Sequence, residues 1–161
     1  MTIEIRSASR ADAPLILKFI RDLARYEKLE NEVVADEIRI TDTLFGESPR
    51  AEVVIAHHNE APVGFALFFT NYSTFLAQPG LYLEDLFVVP ESRGHGIGRA
   101  LLVYLAELAV KRNYGRFEWC VLDWNEPALG FYRSLGATAK NGWILHRVDG
   151  DALEELASQS R

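Results

Sequence analysis

The chain has 161 residues and a formal net charge of −6, with 48% hydrophobic and 25% charged residues. Its length is enough for one domain with its own core, so we expect a single domain over residues 1–161. The acidic balance disfavours sequence-independent nucleic-acid binding, which needs a basic face. No apolar run reaches transmembrane length, and the opening MTIEIRSAS has no apolar signal core. The only cysteine, Cys120, cannot form an internal disulfide. We therefore expect a cytoplasmic protein with neither nucleic acid nor membrane as partner.

The first half of the chain predicts a strand, two helices and a hairpin. The first strand alternates apolar and polar residues, and the first helix has apolar residues at helical spacing. HNEAP forms the turn between the two hairpin strands, and Gly46 ends the second helix. The predicted strands and helices lie, in chain order, at residues 2–6 (strand), 11–29 (helix), 35–45 (helix), 51–58 (strand) and 62–72 (strand), followed by a loop at 72–79.

The second half of the chain predicts strands joined by crossover helices. An apolar central strand is followed by a glycine turn and a long helix, and a later helix is opened by Asn125. The predicted elements are residues 81–89 (strand), 98–112 (helix), 116–122 (strand), 126–135 (helix), 142–148 (strand) and 151–157 (helix). This order predicts an α/β fold with a mixed, mostly antiparallel central sheet and helices on both faces.

The glycine turn RGHGIG at residues 93–98 has three interpretations. The first is a tight connection whose glycines relieve steric crowding and nothing more. The second is a dinucleotide site, but that fingerprint requires a glycine where Arg99 stands and a first glycine directly after the strand, where PESR intervenes. A triphosphatase phosphate loop is excluded, because no Lys followed by Ser or Thr ends the motif.

The third interpretation is a binding site for the pyrophosphate of coenzyme A. Backbone N–H groups at the start of a helix form a cradle for an anion, and glycines keep side chains out of it. Arg93 and Arg99 add positive charge to this cradle. The predicted cradle consists of Arg93, Gly94, His95, Gly96, Ile97, Gly98 and Arg99.

Two motifs carry a resemblance to a known family. RGHGIGRA resembles the R/Q-x-x-G-x-G/A motif of the GNAT superfamily of N-acetyltransferases, and NEPALGFYRSLGA at residues 125–137 resembles its second motif. The segments ARYEKLE, YLEDLFV, VLDWNEP and GW resemble the diamine acetyltransferase branch, most of all its thialysine N-epsilon-acetyltransferase members. The resemblance covers nearly the whole chain and implies the GNAT fold, acetyl-CoA as donor, an amine as acceptor, no metal and a homodimer.

The resemblance also implies residue roles. The backbone around Leu86, Phe87 and Val88 pairs with the pantetheine arm, as a peptide does in strand addition. Asn125 contacts the same arm, although helix capping alone would explain its identity. Tyr26 and Glu27 match acceptor-binding positions. From the residues alone, Tyr26 fits the core face of the first helix and Glu27 a solvated charge equally well.

Acetyl transfer requires a neutral amine, and neutralising a lysine-like ammonium at pH 7 costs roughly 4 to 5 kcal/mol. Glu84 is the candidate proton acceptor, since a carboxylate within so apolar a run is costly unless it is bound or functional. The alternative is a carboxylate of an edge strand that lies in solvent. Regular alternation places Glu84 with Tyr82, Leu86 and Val88 on one face, and Asp85 with Leu83 and Phe87 on the other. Alternation thus favours a structural or dimer-side Asp85, whereas the resemblance places both acids at the acceptor site.

Tyr132 is the candidate general acid for the departing thiolate, because a phenol is protonated at pH 7. Its spacing from Leu129 and Leu135 is equally typical of a core aromatic, and the motif match favours catalysis. Trp143 is either a packing residue or a wall of the acceptor site. Polyamine-specific members carry an acidic pair where this chain has Lys140 and Asn141, which favours a shorter or zwitterionic amine.

Two other classes of function remain as alternatives. A non-catalytic acyl-CoA sensor needs the glycine turn but neither Glu84 nor Tyr132. A nicotinamide-dependent oxidoreductase is disfavoured by Arg99. The scattered histidines show no metal-ligand spacing.

Overall fold

The computed structural model describes residues 2–159 of the chain. The strands, in chain order, are β1 (Ile3–Ser7), β2 (Glu52–His58), β3 (Ala61–Ser73), β4 (Gln78–Val88) and β5 (Phe117–Trp119). The helices are α1 (Ala13–Tyr26), α2 (Glu37–Phe45), α3 (Ile97–Lys111), α4 (Glu126–Ser134) and α5 (Gly150–Ser158).

The strands form one sheet in the order β1-β2-β3-β4-β5. Neighbours are antiparallel from β1 to β4, whereas β5 lies parallel to β4. The prediction of a mixed, mostly antiparallel sheet is confirmed. The hairpin is longer than predicted, because β3 extends to Ser73 and β4 begins at Gln78, which shortens the predicted loop to a turn.

Helix α1 covers one face of the sheet. Asp12 accepts from the backbone N–H of Ser9 at 2.7 Å in a capping box, and a 3-10 turn precedes the helix. The ring of Phe19 stacks on Phe65 of β3 at 5.4 Å and lies 6.1 Å from that of Phe87 on β4. Each such buried ring stabilises the fold by about 1.5–3 kcal/mol. The helix ends three residues earlier than predicted, since Lys28 adopts a left-handed φ of 63°.

Helix α3 buries a different set of side chains. Its buried residues, among them Leu101 and Leu105, are fully enclosed but do not belong to the cluster around Phe19 and Phe65. Helices α1 and α2 both contribute to that first cluster. The two groups of buried side chains agree with the predicted helices on both faces of the sheet.

A β-bulge in β4 changes which side chains share a face. Leu67 of β3 pairs with Asp85 and the next residue, Phe68, pairs with Leu83, so Glu84 is the extra residue and pairs with none. Residues paired across an antiparallel ladder point to the same face.

The bulge makes one part of the predicted alternation wrong: Asp85 and Phe87 share a face as predicted, but Leu83 does not lie on it. Asp85 and Phe87 pair with Leu67 and Phe65, and Tyr82 pairs with Phe69, two residues further along the same face of β3. This is the face that α1 covers, so Asp85 points toward α1 and shares its face with Tyr82. Leu83 and Leu86 pair with residues of the opposite face.

The chain divides into two units, the first up to Leu122 and the second from Asp123 onwards. The second unit contains α4 and α5 as predicted. The predicted strand at 142–148 is wrong, since the described residues show no ladder partner for it and Trp143 and Ile144 are 79% and 80% exposed. Alternation predicts a strand only where a neighbouring strand satisfies its backbone groups. In the first unit, β5 is shorter than its predicted 116–122 range.

Candidate active site

The glycine turn adopts a conformation that requires glycine. Gly94 and Gly96 have φ of 77° and 80°, and Gly96 is the N-terminal cap of α3. A Cβ added to either residue would meet no atom within 4 Å. The first hydrogen bond of the helix runs from the Ala100 N–H to the Gly96 carbonyl at 2.9 Å, so the three preceding amides have no acceptor within the helix.

These features fit a pyrophosphate. The space beside the glycines is open, and the free amides at the start of a 15-residue helix attract an anion. Side chains at Gly94 or Gly96 would fill the space that the phosphates need. Among the candidates for added charge, Arg99 is exposed in the first turn of α3.

Arg93 points its side chain toward α1. Its Nε donates to the carbonyl of Val88 at 2.9 Å. Its guanidinium carbon lies 4.8 Å from the centre of the Tyr26 ring and 5.5 Å from that of Phe87. Cation–π contacts of this kind contribute about 0.5–1 kcal/mol at exposed sites. No sequence pattern predicts this contact, which joins the end of α1 to the start of the glycine turn.

Three carboxylates meet where α1 ends and β4 bulges. Burial, followed by the like charges of Glu84 and Glu27, raises the pKa of Asp85 to about 6. Burial also raises the pKa of Glu27, which caps the C-terminus of α1. Glu84 is exposed at the bulge. Asp85 therefore lies close enough to both glutamates to feel their charge.

Tyr26 and Tyr82 flank this acidic cluster of Glu27, Glu84 and Asp85. Tyr26 is 38% exposed, which excludes it from the core face of α1. Tyr82 donates to the Sγ of Cys120 at 3.1 Å, and burial together with this hydrogen bond raises the pKa of its phenol. Its phenol therefore stays protonated at neutral pH.

The second unit holds three of the predicted site residues. Asn125 caps α4, and its Oδ1 accepts from the Ala128 N–H at 3.3 Å. Helix α4 buries no residue, so Tyr132 is not the core aromatic that its spacing allowed. Its half-exposed ring lies 5.6 Å from that of Phe131. Trp143 is exposed and does not pack as a core residue would.

Residues 2–159 contain neither a candidate metal site nor a candidate membrane span. No group of three or more His, Cys, Asp or Glu side chains in this range is placed to hold a metal ion. No helix in the same range combines the length and the apolar composition that a bilayer span requires.

The strand, glycine turn and helix lie beside an acidic cluster, two members of which are on that strand. The profile of the Acetyltransferase (GNAT) family matches residues 17–137. The chain belongs to this family and is an N-acetyltransferase with the GNAT fold.

Several relatives match over nearly the full chain. A thialysine N-epsilon-acetyltransferase from Sus scrofa is 38% identical over 169 residues, covering 98% of this chain and 99% of the relative. An L-ornithine N5-acetyltransferase from Arabidopsis thaliana is 33% identical over 201 residues, covering 97% and 88%.

Solved structures match the fold. An integron cassette protein from the mobile metagenome of V. cholerae superposes with a TM-score of 0.83 at 27% identity, covering 99% of both chains. An aminoglycoside acetyltransferase from an uncultured soil metagenomic sample superposes with a TM-score of 0.75 at 20% identity, covering 92% of this chain and 95% of that one. At 20% identity, the match to the aminoglycoside acetyltransferase shows only that the two proteins share a fold.

Proposed function

We propose that this protein transfers the acetyl group of acetyl-CoA to the side-chain amine of a small cationic acceptor, either thialysine-like or a short diamine. The observation that carries the proposal is the clustering of Glu27, at the end of α1, with Glu84 and Asp85 on the strand that leads into the glycine turn. Clustered carboxylates attract an ammonium, and the amides of α3 attract phosphate. The names of the thialysine and ornithine acetyltransferases agree with such an acceptor.

Acetyl-CoA supplies the acetyl group as a thioester. The backbone of Leu86, Phe87 and Val88 pairs with its amide arm, and Asn125 contacts the same arm. The bulge leaves Glu84 without a partner on β3, which frees this residue for the acceptor. The residues of the cradle are Arg93, Gly94, His95, Gly96, Ile97, Gly98 and Arg99.

Two residues carry out the proton transfers of the reaction. Glu84 accepts the proton that the ammonium loses, directly or through water, and the neutral nitrogen then forms the new C–N bond as the C–S bond breaks. Tyr132 donates a proton to the departing sulfur, and the second proton, which the acetylated nitrogen loses as it becomes an amide, returns the phenolate to the phenol. Transfer is direct, within a ternary complex, so no acyl-enzyme forms. Asp85, Glu27, Tyr26 and Trp143 surround the acceptor. We further propose that the protein is a cytoplasmic homodimer.

The test is turnover of acetyl-CoA with a panel of amines, comparing wild type with Glu84→Gln. We expect the variant to lose roughly 10²- to 10⁴-fold in kcat, the range for a general base, while it still binds acetyl-CoA. Glu37→Gln, at an exposed position of α2, is the matched control and should keep full activity. Binding of acetyl-CoA without turnover of any amine would instead identify an acyl-CoA sensor.

A further inference from the structure

Two histidines from distant parts of the chain lie side by side at the glycine turn. His58 is the last residue of β2 and His95 stands between Gly94 and Gly96, and the centres of the two imidazole rings lie 6.2 Å apart. Strands β2 and β4 both run antiparallel to β3, so they end at the same edge of the sheet, from which the chain enters the glycine turn. None of the roles above uses either imidazole.

The strand pairing places His58 on the face of the sheet that α3 covers. Val53 and Ile55 of β2 belong to the cluster of buried side chains under α1. Side chains alternate along a strand, and β2 pairs with β1 without a bulge, so Val54, Ala56 and His58 point to the opposite face. The imidazole of His58 is therefore on the side of the sheet where α3 and its free amides begin.

The hydrogen bond of His95 determines which of its ring nitrogens is available. Nδ1 lies 3.2 Å from the carbonyl oxygen of Ser92. A carbonyl oxygen only accepts, so Nδ1 carries a proton and donates it, and Nε2 remains for a ligand. Nε2 donates to an anion only when the ring is protonated, and a phosphate beside the ring favours that charged form.

The acids at this edge of the sheet are held elsewhere. Within residues 2–159 neither imidazole forms an ion pair, and the side chain of His58 forms no hydrogen bond. Glu60, two residues after His58, pairs with Arg6 at 2.9 Å, and Glu91 lines a cleft with residues of α1. The charged residues of the glycine turn itself are both cations, Arg93 and Arg99. The local charge therefore favours an anion beside the two rings.

We propose that His58 and His95 together bind one phosphate group of acetyl-CoA, beside the amides of the cradle. The proposal rests on acetyl-CoA as the donor and adds to its binding site a residue from outside the glycine turn. Charge-assisted hydrogen bonds from nitrogen to a phosphate oxygen span about 2.7–2.9 Å, so two rings 6.2 Å apart can both reach one phosphate. Coenzyme A offers two such groups, its pyrophosphate and its 3′-phosphate.

The experiment measures binding by isothermal titration and needs no turnover. CoA and dephospho-CoA, which lacks the 3′-phosphate, are titrated into wild type, His58→Gln and His95→Gln. We expect each substitution to raise the Kd for CoA by about 10-fold, the lower end of the range for a charge-assisted hydrogen bond. A loss confined to CoA would assign the pair to the 3′-phosphate, and an equal loss with dephospho-CoA would assign it to the pyrophosphate.

Two further readouts separate phosphate binding from a structural effect. If both rings hold the same phosphate, the loss in the double variant should be smaller than the product of the two single losses. Because His95 binds as the imidazolium, wild type should take up more protons on binding CoA than His95→Gln does, and its affinity should fall more steeply as pH rises. Titrations in Pipes and in Tris, which differ in ionisation enthalpy, measure this uptake.

His57→Gln is the matched control, since His57 is the neighbouring histidine of β2 but lies on the opposite face. Its Kd for CoA should equal that of wild type. Unchanged Kd values in His58→Gln and His95→Gln, or an equal loss in His57→Gln, would overturn the proposal. Failure of wild type to bind CoA at all would instead reject acetyl-CoA as the donor.

Discussion

Asp85 lowers the stability of the folded protein when it is ionised, and it is also one of the residues proposed to bind the acceptor. Its pKa of about 6 lies well above the usual 3.9 of an aspartate, because the side chain is partly buried beside two other carboxylates. At about 1.4 kcal/mol per pKa unit, its ionisation in the folded protein costs about 3 kcal/mol. An ammonium bound as proposed would offset this cost and so couple acceptor binding to the charge of the cluster.

The sign of the pH effect follows from this raised pKa. Between about pH 4 and 6 the folded protein binds more protons than the unfolded chain, so stability falls as pH rises through this window and then levels off. Asp85→Asn should therefore be more stable than wild type at pH 7, and its advantage should vanish near pH 4. Urea unfolding of both proteins from pH 4 to 8 measures the difference. Adding Glu27→Gln removes one like charge and should shift the midpoint to lower pH, whereas a pH-independent difference would contradict the assignment.

Tyr132, in the second unit, is the single residue proposed as the general acid. A general acid contributes about 10²- to 10⁴-fold, so Tyr132→Phe should lower kcat by at least 10²-fold and leave the KM for acetyl-CoA nearly unchanged. Since α4 buries no residue, the loss of one hydroxyl should not unfold the protein. Steady-state kinetics over a range of acetyl-CoA concentrations separates the two parameters. An unchanged kcat would mean that the thiolate leaves without help from this phenol.

At the scale of the element, β4 carries two of the three clustered acids, Glu84 and Asp85, and leads into the glycine turn. Its bulge leaves Glu84 without a pairing partner on β3, and its last residues lead into the glycine turn that begins α3. Asp85 alternates regularly with Phe87, so both face α1. The bulge reverses the face of the residues before Glu84, so Tyr82 also lies on the face of Asp85.

The glycine turn gives a prediction at the same scale. Gly96→Asp places a carboxylate in the open space at the start of α3, so it should abolish CoA binding and cost about 1–2 kcal/mol of stability from its left-handed backbone. Gly136→Asp is the matched control, because Gly136 also has a positive φ of 85° and open space beside it. It should lose similar stability and keep CoA binding. Isothermal titration with CoA measures both variants, and tight binding by Gly96→Asp would place the phosphates elsewhere.

At the scale of the whole molecule, the sequence predicted what local patterns determine. Helical spacing and capping signals located α1 to α5, and alternation located β1 to β4. The predicted strand at 142–148 failed because a strand depends on a partner that its own residues do not specify. The prediction that Asp85 and Leu83 share a face was wrong for a related reason. It missed the bulge, which is visible only in the pairing of β3 with β4. The contact of Arg93 with Tyr26 likewise joins residues far apart in the chain, and no local pattern predicts it.

Cofactor choice is tested on the intact protein. A ligand that binds only the folded state raises stability by mass action, by about 2.7 kcal/mol at 100 times its Kd. For a chain of this size that corresponds to a rise in Tm of about 5–10 °C. Acetyl-CoA and CoA should produce this shift, because their pyrophosphate fits the amides and the open space at the start of α3. NAD also carries a pyrophosphate, but its fingerprint requires a glycine at the position of Arg99, so we expect no shift at the same concentration. A rise in Tm with NAD and none with CoA would reject acetyl-CoA as the donor and favour the oxidoreductase alternative.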